Sequence, residues 1–408
     1  MSIPSIETRS SWVIASVSLV LLATSFGALW IVAVGLKAIA ADLGGARSAP
    51  SLASSLAWLG SSVGGLFMGP LAERYGIRLT VIIGGVSVCI GLLISTLGSP
   101  WHLYIGHGVF IGLLGTAGLN APLYIYVSRW FDRRRGSALA LLSSGLYLAG
   151  TIWPPVFERA IAYYGWQQTM IAYGLFTALL IVPMALWFLR AAPEVPVAAG
   201  AAGAAGETPR VFGWPPNVVF GMLAAASFLC CVTMSMPQNH LVALCTDLGY
   251  SAQSGAAMLS LLLGLGVLGR QIWGAISDKI GGLSTLLISS LLQGLAMAGF
   301  VVTQSEAGLY GVAAAFGVGF SALIPAYVLA VREYFPAREA SWRVPVVLLL
   351  SGSGMATGTW LAGALYDSFG FYAPAFAAGV FANILNFIVI GTLVLRRRYA
   401  GREAVSWA

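Results

Sequence analysis

The chain has 408 residues, 58% of them hydrophobic and only 9% charged, with a mean hydropathy of +0.86, whereas soluble domains carry about 25% charged residues. Too little polar surface is left to face water on all sides, which excludes an ordinary soluble domain. The formal charge of +7 does not point to nucleic acid, because the basic residues sit at the ends of apolar runs and not on one face.

Runs long enough to cross about 30 Å of hydrocarbon, roughly 20 residues at 1.5 Å each, fall at 12–36, 51–72, 79–98, 101–127, 136–157, 167–189, 215–238, 254–276, 283–303, 307–331, 343–365 and 373–395. They predict an all-α polytopic membrane protein with twelve transmembrane helices. The first run is too long for a signal-peptide core and no small-residue cleavage site follows it, so it is expected to remain a helix. Between runs six and seven the chain is rich in Pro, Gly and Ala, the composition of a flexible connection. The expected organisation is a six-helix bundle over 1–190, a cytoplasmic linker over 191–213 and a second six-helix bundle over 214–408.

Basic residues near helix ends are retained on the cytoplasmic side. With the N-terminus inside, 17 of the 21 Lys and Arg residues fall in cytoplasmic segments. Arg47 and Arg159 lie outside, and Lys37 and Arg270 fall within membrane segments. The expected location is the cell inner membrane, with both termini cytoplasmic. The cysteines, Cys89, Cys230, Cys231 and Cys245, lie in or beside apolar segments without metal-ligand or disulfide-framework spacing, and read as small buried residues.

The two halves repeat. Gly69-Pro-Leu-Ala-Glu73-Arg74-Tyr-Gly76-Ile-Arg78 follows run two, and Gly274-Ala-Ile-Ser-Asp278-Lys279-Ile-Gly281-Gly282 follows run eight, at an offset of 205. Pro122-Leu-Tyr124 with Arg129 is answered by Pro325-Ala-Tyr327 with Arg332 at 203, and Tyr164-Gly165-Trp166 by Phe369-Gly370-Phe371 at 205. Paired bundles of this kind are common among carriers.

The Gly-x-x-x-Asp/Glu-Arg/Lys-x-Gly loops resemble the motif of the major facilitator superfamily, over nearly the whole chain. Within it, Gly35-Leu-Lys37-Ala-Ile-Ala-Ala-Asp42-Leu-Gly44, Trp130-Phe-Asp132-Arg133-Arg134-Arg135-Gly136 and His240-Leu-Val-Ala-Leu-Cys-Thr-Asp247-Leu-Gly249 are similar to stretches of the monocarboxylate and oxalate/formate carriers. The resemblance implies a major facilitator fold of two pseudo-symmetric bundles and transport by alternating access.

An ionisable side chain at bilayer depth costs about 2.5–3.5 kcal/mol on insertion scales and is a functional candidate by default. Arg270 lies well inside run eight, and its permanently charged fork suits a carboxylate. Carriers of the resembling group place a substrate-binding arginine in this helix. The competing reading is an arginine that snorkels towards Asp278. Lys37, at the end of run one, is implied by the resemblance to help capture the anion; otherwise it is an interfacial partner of Asp42. His240 and His107 titrate near neutral pH and suit a proton relay, or are hydrogen-bonded structural groups. Asn120, Tyr124, Tyr147 and Tyr327 sit near Pro or Gly, as pathway lining or as glue between helices. Glu73, Arg74, Arg78, Arg129, Asp278, Lys279 and Arg332 are assigned to a cytoplasmic gate, against the alternative that they only set topology.

Two departures bear on coupling. Proton-coupled monocarboxylate carriers of the resembling group often carry an Asp four residues before the arginine, where this chain has Gly266. Oxalate exchangers use a second basic residue in span eleven, where this chain has none beyond Arg343 at the edge. Gly264-Leu-Gly266-Val-Leu-Gly269 matches a dinucleotide-binding pattern, but no strand precedes it, and such spacing suits close helix packing. No hydrolase, Walker or metal motif is present, so no enzyme activity, cofactor or metal is expected. The expectation is a secondary active transporter of small organic anions, monocarboxylates foremost, by symport with protons or by exchange. The alternatives are a carrier of drugs or other apolar solutes, or a non-transporting receptor.

Overall fold

The structure is a computed structural model and describes residues 7–190 and 210–406. The predicted linker falls for the most part outside them. Among the described residues twelve helices are long and apolar enough to cross a membrane. They are α1 (Arg9–Asp42), α2 (Ser48–Tyr75), α3 (Ile77–Ser95), α4 (Pro100–Ser128), α5 (Gly136–Tyr164) and α6 (Trp166–Phe188) in the first half. In the second half they are α7 (Pro216–Asp247), α8 (Ala252–Ile280), α9 (Gly282–Val302), α10 (Glu306–Tyr334), α11 (Arg338–Phe369) and α12 (Ala373–Ala400). Among the described residues the only β-bridge is an isolated one, Val211 to Trp214.

Several helices run past their apolar runs, because glycine and not the loss of hydrophobicity ends them. Past the first apolar run, the last residues of α1, Lys37 to Asp42, are largely good helix formers, and the chain turns only at Gly44, with φ +101°. The matching glycine after α7 is Gly249, at φ +86°. The repeat continues at Gly76 and Gly281, φ +88° and +78°, and at Gly165 and Gly370, φ +80° and +81°. These are left-handed positions that only glycine occupies without strain. Three pairs, each separated by 205 residues, therefore place the same turn at the same point of each half.

The chain divides into two compact units, Met1–Gly203 and Ala204–Ala408. Inside the first, α1 packs mainly on α5, α2 on α4 and α3 on α6. Inside the second, α7 packs on α11, α8 on α10 and α9 on α12. The repeat reaches atomic contacts. A Cβ placed on Gly112 of α4 would lie 2.5 Å from the Ala57 carbonyl oxygen of α2, and one on Gly317 of α10 would lie 2.2 Å from the Leu262 carbonyl oxygen of α8. Both residues of each pair are again offset by 205. Backbone meets backbone there, as small residues permit in membrane bundles.

Regular helix is interrupted around the first of these contacts and just beyond the second. In α4 a π-helical segment occupies Gly106–Thr116. In α10 the helix breaks between Phe320 and Leu323. Such irregularities collect at functional positions and at discontinuous helices of carriers.

Gly317→Val is expected to destabilise the purified protein by about 1–3 kcal/mol, as overpacking does. Gly221→Ala, whose new Cβ would meet nothing within 4 Å, should be neutral or slightly stabilising; thermal unfolding in detergent compares the two.

Candidate functional site

Arg270 sits half-buried on α8, directly after Gly269. A Cβ on Gly269 would come within 2.6 Å of the Ser321 hydroxyl, so this turn of α8 lies against the break in α10. The break leaves carbonyls without their usual helical donors. Val318 O accepts instead from the Trp273 indole at 3.0 Å and from Ser321 Oγ at 2.9 Å. One turn of α8, from Gly269 to Trp273, is thereby pinned to the irregular part of α10, and Arg270 projects from that turn. Sequence reading identified Arg270 but not its fastening, because neither an indole nor a serine in a span announces its acceptor.

His240 lies about two turns from the end of α7 and is fully buried. Its Nε2 is 2.9 Å from the Thr359 carbonyl oxygen on α11, and its Nδ1 is 3.0 Å from the Tyr372 hydroxyl at the head of α12. A carbonyl can only accept, so Nε2 carries a proton and the neutral ring accepts at Nδ1. The neighbouring Asn239 donates to Ser235 O at 3.0 Å and to Thr359 Oγ1 at 3.1 Å. Tyr366 packs on Tyr372 with ring centroids 4.6 Å apart.

Tyr327 is 1% exposed and donates to Asn386 Oδ1 at 2.8 Å, while Asn386 donates to Ser290 Oγ at 2.7 Å. A parallel link runs from Asn383 to Gln293 at 3.0 Å and on to Cys230 O at 3.3 Å. These bonds join α7, α9, α10 and α12 through the interior of the unit. The amides went unnoticed in the sequence, although Asn383 and Asn386, three residues apart in an apolar helix, carry the signal of a shared polar face.

In the first unit, Asn120 and Tyr124 lie four residues apart, half-buried, just past the π segment, and Tyr147 is buried on α5. Lys37 is exposed, five residues before the end of α1. The Asp42 carboxylate accepts from the Trp166 indole at 2.7 Å and from Gln167 at 3.1 Å, rather than from Lys37. This ties α1 to α6. His107 is fully buried, with Nδ1 3.0 Å from Ser95 Oγ and 3.1 Å from Leu103 O.

Among the gate residues, Arg129 and Glu73 form an ion pair at 3.0 Å between the ends of α4 and α2. Both are half exposed, so the pair contributes about 0.2–1 kcal/mol. Arg78 donates to the Leu189 carbonyl at the end of α6, and the Arg74 guanidinium lies 5.3 Å from the Tyr75 ring centroid. The second unit does not copy this arrangement. Asp278, Lys279 and Arg332 are exposed, and among the described residues no ion pair joins Asp278 to Arg332. Instead Glu333 takes the Gly282 N–H, at 3.0 and 3.1 Å, and caps α9.

Arg343, which the charge pattern placed at the cytoplasmic edge of span eleven, is 2% exposed. Its guanidinium donates to Glu339 at 3.0 and 2.7 Å and to Asn217 at 2.9 Å. The rings of Phe335, Trp342 and Phe220 surround it, 4.3, 4.6 and 4.7 Å away. It is a cation caged by aromatic faces, locking the start of α7 and the end of α10 to α11.

The model of the Major Facilitator Superfamily matches residues 18–341. The chain belongs to this superfamily. It is 26% identical over 335 residues to monocarboxylate transporter 13 of Bos taurus, covering 81% of this chain and 76% of the relative. It is 24% identical over 339 residues to MFS transporter asaE of Aspergillus flavus, covering 80% and 75%. A bacterial homologue of the human lysosomal transporter Spinster superimposes with a TM-score of 0.73 at 16% identity, covering 96% of this chain and 98% of that one. The fold is that of a major facilitator transporter, and the protein is a multi-pass membrane transporter.

Asn386→Leu should remove the acceptor of Tyr327 and the donor to Ser290, lowering stability by about 1–3 kcal/mol, the penalty for stranded buried polar groups. In a double-mutant cycle with Tyr327→Phe, thermal unfolding is expected to show coupling of about 0.5–2 kcal/mol.

Proposed function

We propose that this transporter is a secondary carrier of small organic anions, monocarboxylates foremost, working by alternating access in the cell inner membrane with both termini cytoplasmic. The observation that carries the reading is Arg270, a permanent cation inside a membrane helix, on a turn fastened to the break in α10. Its insertion cost of about 2.5–3.5 kcal/mol is offset when a carboxylate accepts the guanidinium fork. The bovine relative, named a monocarboxylate transporter, supports the same substrate class.

Lys37 adds a second cation on α1 for capture of the anion. Asn120, Tyr124 and Tyr147 supply polar groups to the solute path. Tyr327 acts from behind, holding Asn386. Position 65, which matches Arg270 in the repeat, is Gly65, so anion recognition is concentrated in the second unit. The Glu73–Arg129 pair, with Arg74, Arg78, Asp278, Lys279 and Arg332, biases the gate at the cytoplasmic end, where a few kcal/mol are enough to shift populations.

Uptake of labelled lactate, pyruvate, formate and oxalate into proteoliposomes tests the reading. Arg270→Ala is expected to lose about 2–5 kcal/mol of anion binding, a drop of about 30-fold or more. Arg270→Lys should lose about tenfold, because an ammonium lacks the planar fork. Undiminished anion transport in both variants overturns the role of Arg270. Uptake of apolar solutes with no competition by any carboxylate points instead to a drug carrier, and binding without flux or exchange points to a receptor.

A further inference from the structure

A cleft of about 470 Å³ opens between α5 and α6 in the first unit, a volume within the range of about 300–1,000 Å³ that ligand pockets occupy. Its floor is aromatic. Trp153 and Phe157 of α5 stack with ring centroids 5.6 Å apart, and Tyr173 of α6 lies edge to face with both, at 4.8 and 4.7 Å. The polar atoms of these rings turn away from the cleft and into the bundle. The Trp153 indole donates to the Ala23 carbonyl at 3.0 Å, and the Tyr173 hydroxyl to the Thr24 carbonyl at 2.7 Å, both on α1. Gly27 admits them, since a Cβ there would collide with the Tyr173 hydroxyl and lie 2.8 Å from Trp153 Cδ1. The floor is thereby fastened to α1 and shows the cleft only apolar surface.

From this cleft and the cation beside it we infer that the first unit binds one anionic phospholipid, with an acyl chain lying between α5 and α6 and the phosphate held at Arg159. The site shares no residue with the solute path proposed above and does not depend on what the carrier moves.

Its dimensions fit a chain from one leaflet. The lining runs along α5 from Trp153 to Tyr164, about 16 Å of helix, which is about half of the 30 Å of hydrocarbon. Polarity changes along this length. At depth the walls are Val156, Ala160, Ala172 and Phe176, whereas the Gly165 end holds the Tyr164 hydroxyl, the exposed Gln168 amide and Thr169. The Thr169 hydroxyl is already engaged, donating to Gly165 O at 2.8 Å. An apolar trough with a polar lip suits an amphiphile. A wholly polar solute would strand its groups against the floor.

Arg159 sets the headgroup. It is exposed, five residues before the end of α5, and adjoins Val156 on the helix surface. From there its long side chain reaches the headgroup layer. Among the described residues no carboxylate forms an ion pair with it. Glu158 points about 100° round the helix from it, and Asp42, the other acid at this end of the unit, accepts from Trp166 and Gln167. Hydrophobic burial does not retain a chain here, because the chain leaves other chains as apolar as the cleft. Retention comes from packing on rings already in place and from the charge, which for one basic side chain amounts to about fivefold in binding an anionic lipid.

Native mass spectrometry of the purified transporter, incubated in detergent with equal amounts of phosphatidylglycerol and phosphatidylethanolamine, tests the site. Wild type is expected to retain one tightly held phospholipid, with phosphatidylglycerol preferred about fivefold. Arg159→Gln keeps the cleft and removes the charge, so the preference should fall to about one while a lipid is still retained. Ala172→Phe fills the cleft from an exposed position on α6 and should lose the tight lipid altogether, of either headgroup.

A wild type that retains no lipid overturns the inference. Equal selectivity in wild type and Arg159→Gln does so too, as does a tight lipid undiminished in Ala172→Phe. If Ala172→Phe does not fold, labelling of wild-type proteoliposomes decides. Phosphatidylglycerol carrying a diazirine on its acyl chain should, on photolysis, mark peptides within 153–176, and labelling confined to other helices overturns the site.

Discussion

Lipid offers no hydrogen bonds, so every backbone donor and acceptor at membrane depth must be satisfied by the chain itself. The rest of this structure follows from that constraint. Helices run unbroken through most of the hydrocarbon, and at the break of α10 other groups supply the donors that regular geometry would have given. The Val318 carbonyl there is the recipient, with Trp273 and Ser321 both donating to it. The repair fixes the turn that carries Arg270. A functional cation and a structural remedy thus share one turn of α8, and the irregular backbone is tolerated because it is enclosed by protein.

The same constraint explains the buried amides of the second unit. Gln293, Asn383 and Asn386 bond one another's neighbours across α7, α9, α10 and α12. Hydrophobic burial gives helices no reason to associate in lipid, so packing and such bonds supply it. Arg343 does comparable work near the ends of α7 and α10, where one guanidinium meets three rings, a carboxylate and an amide.

Much of the fold was legible in the sequence because membrane spans write themselves as length and hydropathy. All twelve runs became helices in the expected order. Helix ends were less legible: α1 and α7 continue to Asp42 and Asp247 because a left-handed glycine, not polarity, stops them. At the candidate site, residue types were readable and partners were not. Arg270 stands out by its charge, whereas Asn239, Thr359 and Tyr372 gain meaning only through contacts 120 and more residues apart. The gate loops repeat as motifs yet differ in bonding, since Glu73 reaches Arg129 while Glu333 caps α9. Motif identity does not encode which neighbour a side chain selects.

The meeting of Gly112 with Ala57, and of Gly317 with Leu262, has a mechanical consequence. Where side chains separate two helices, rotamer changes absorb small displacements and each helix can shift a little alone. Here two peptide backbones touch with no side chain between, and nothing soft remains in the joint. A push on one helix of the pair passes to the other undamped. Compliance in α4 and α10 is then left to the residues beyond the joint, the end of the π segment in one and the break at Ser321 in the other, which makes the duplicated glycine a stiffener that determines where bending occurs.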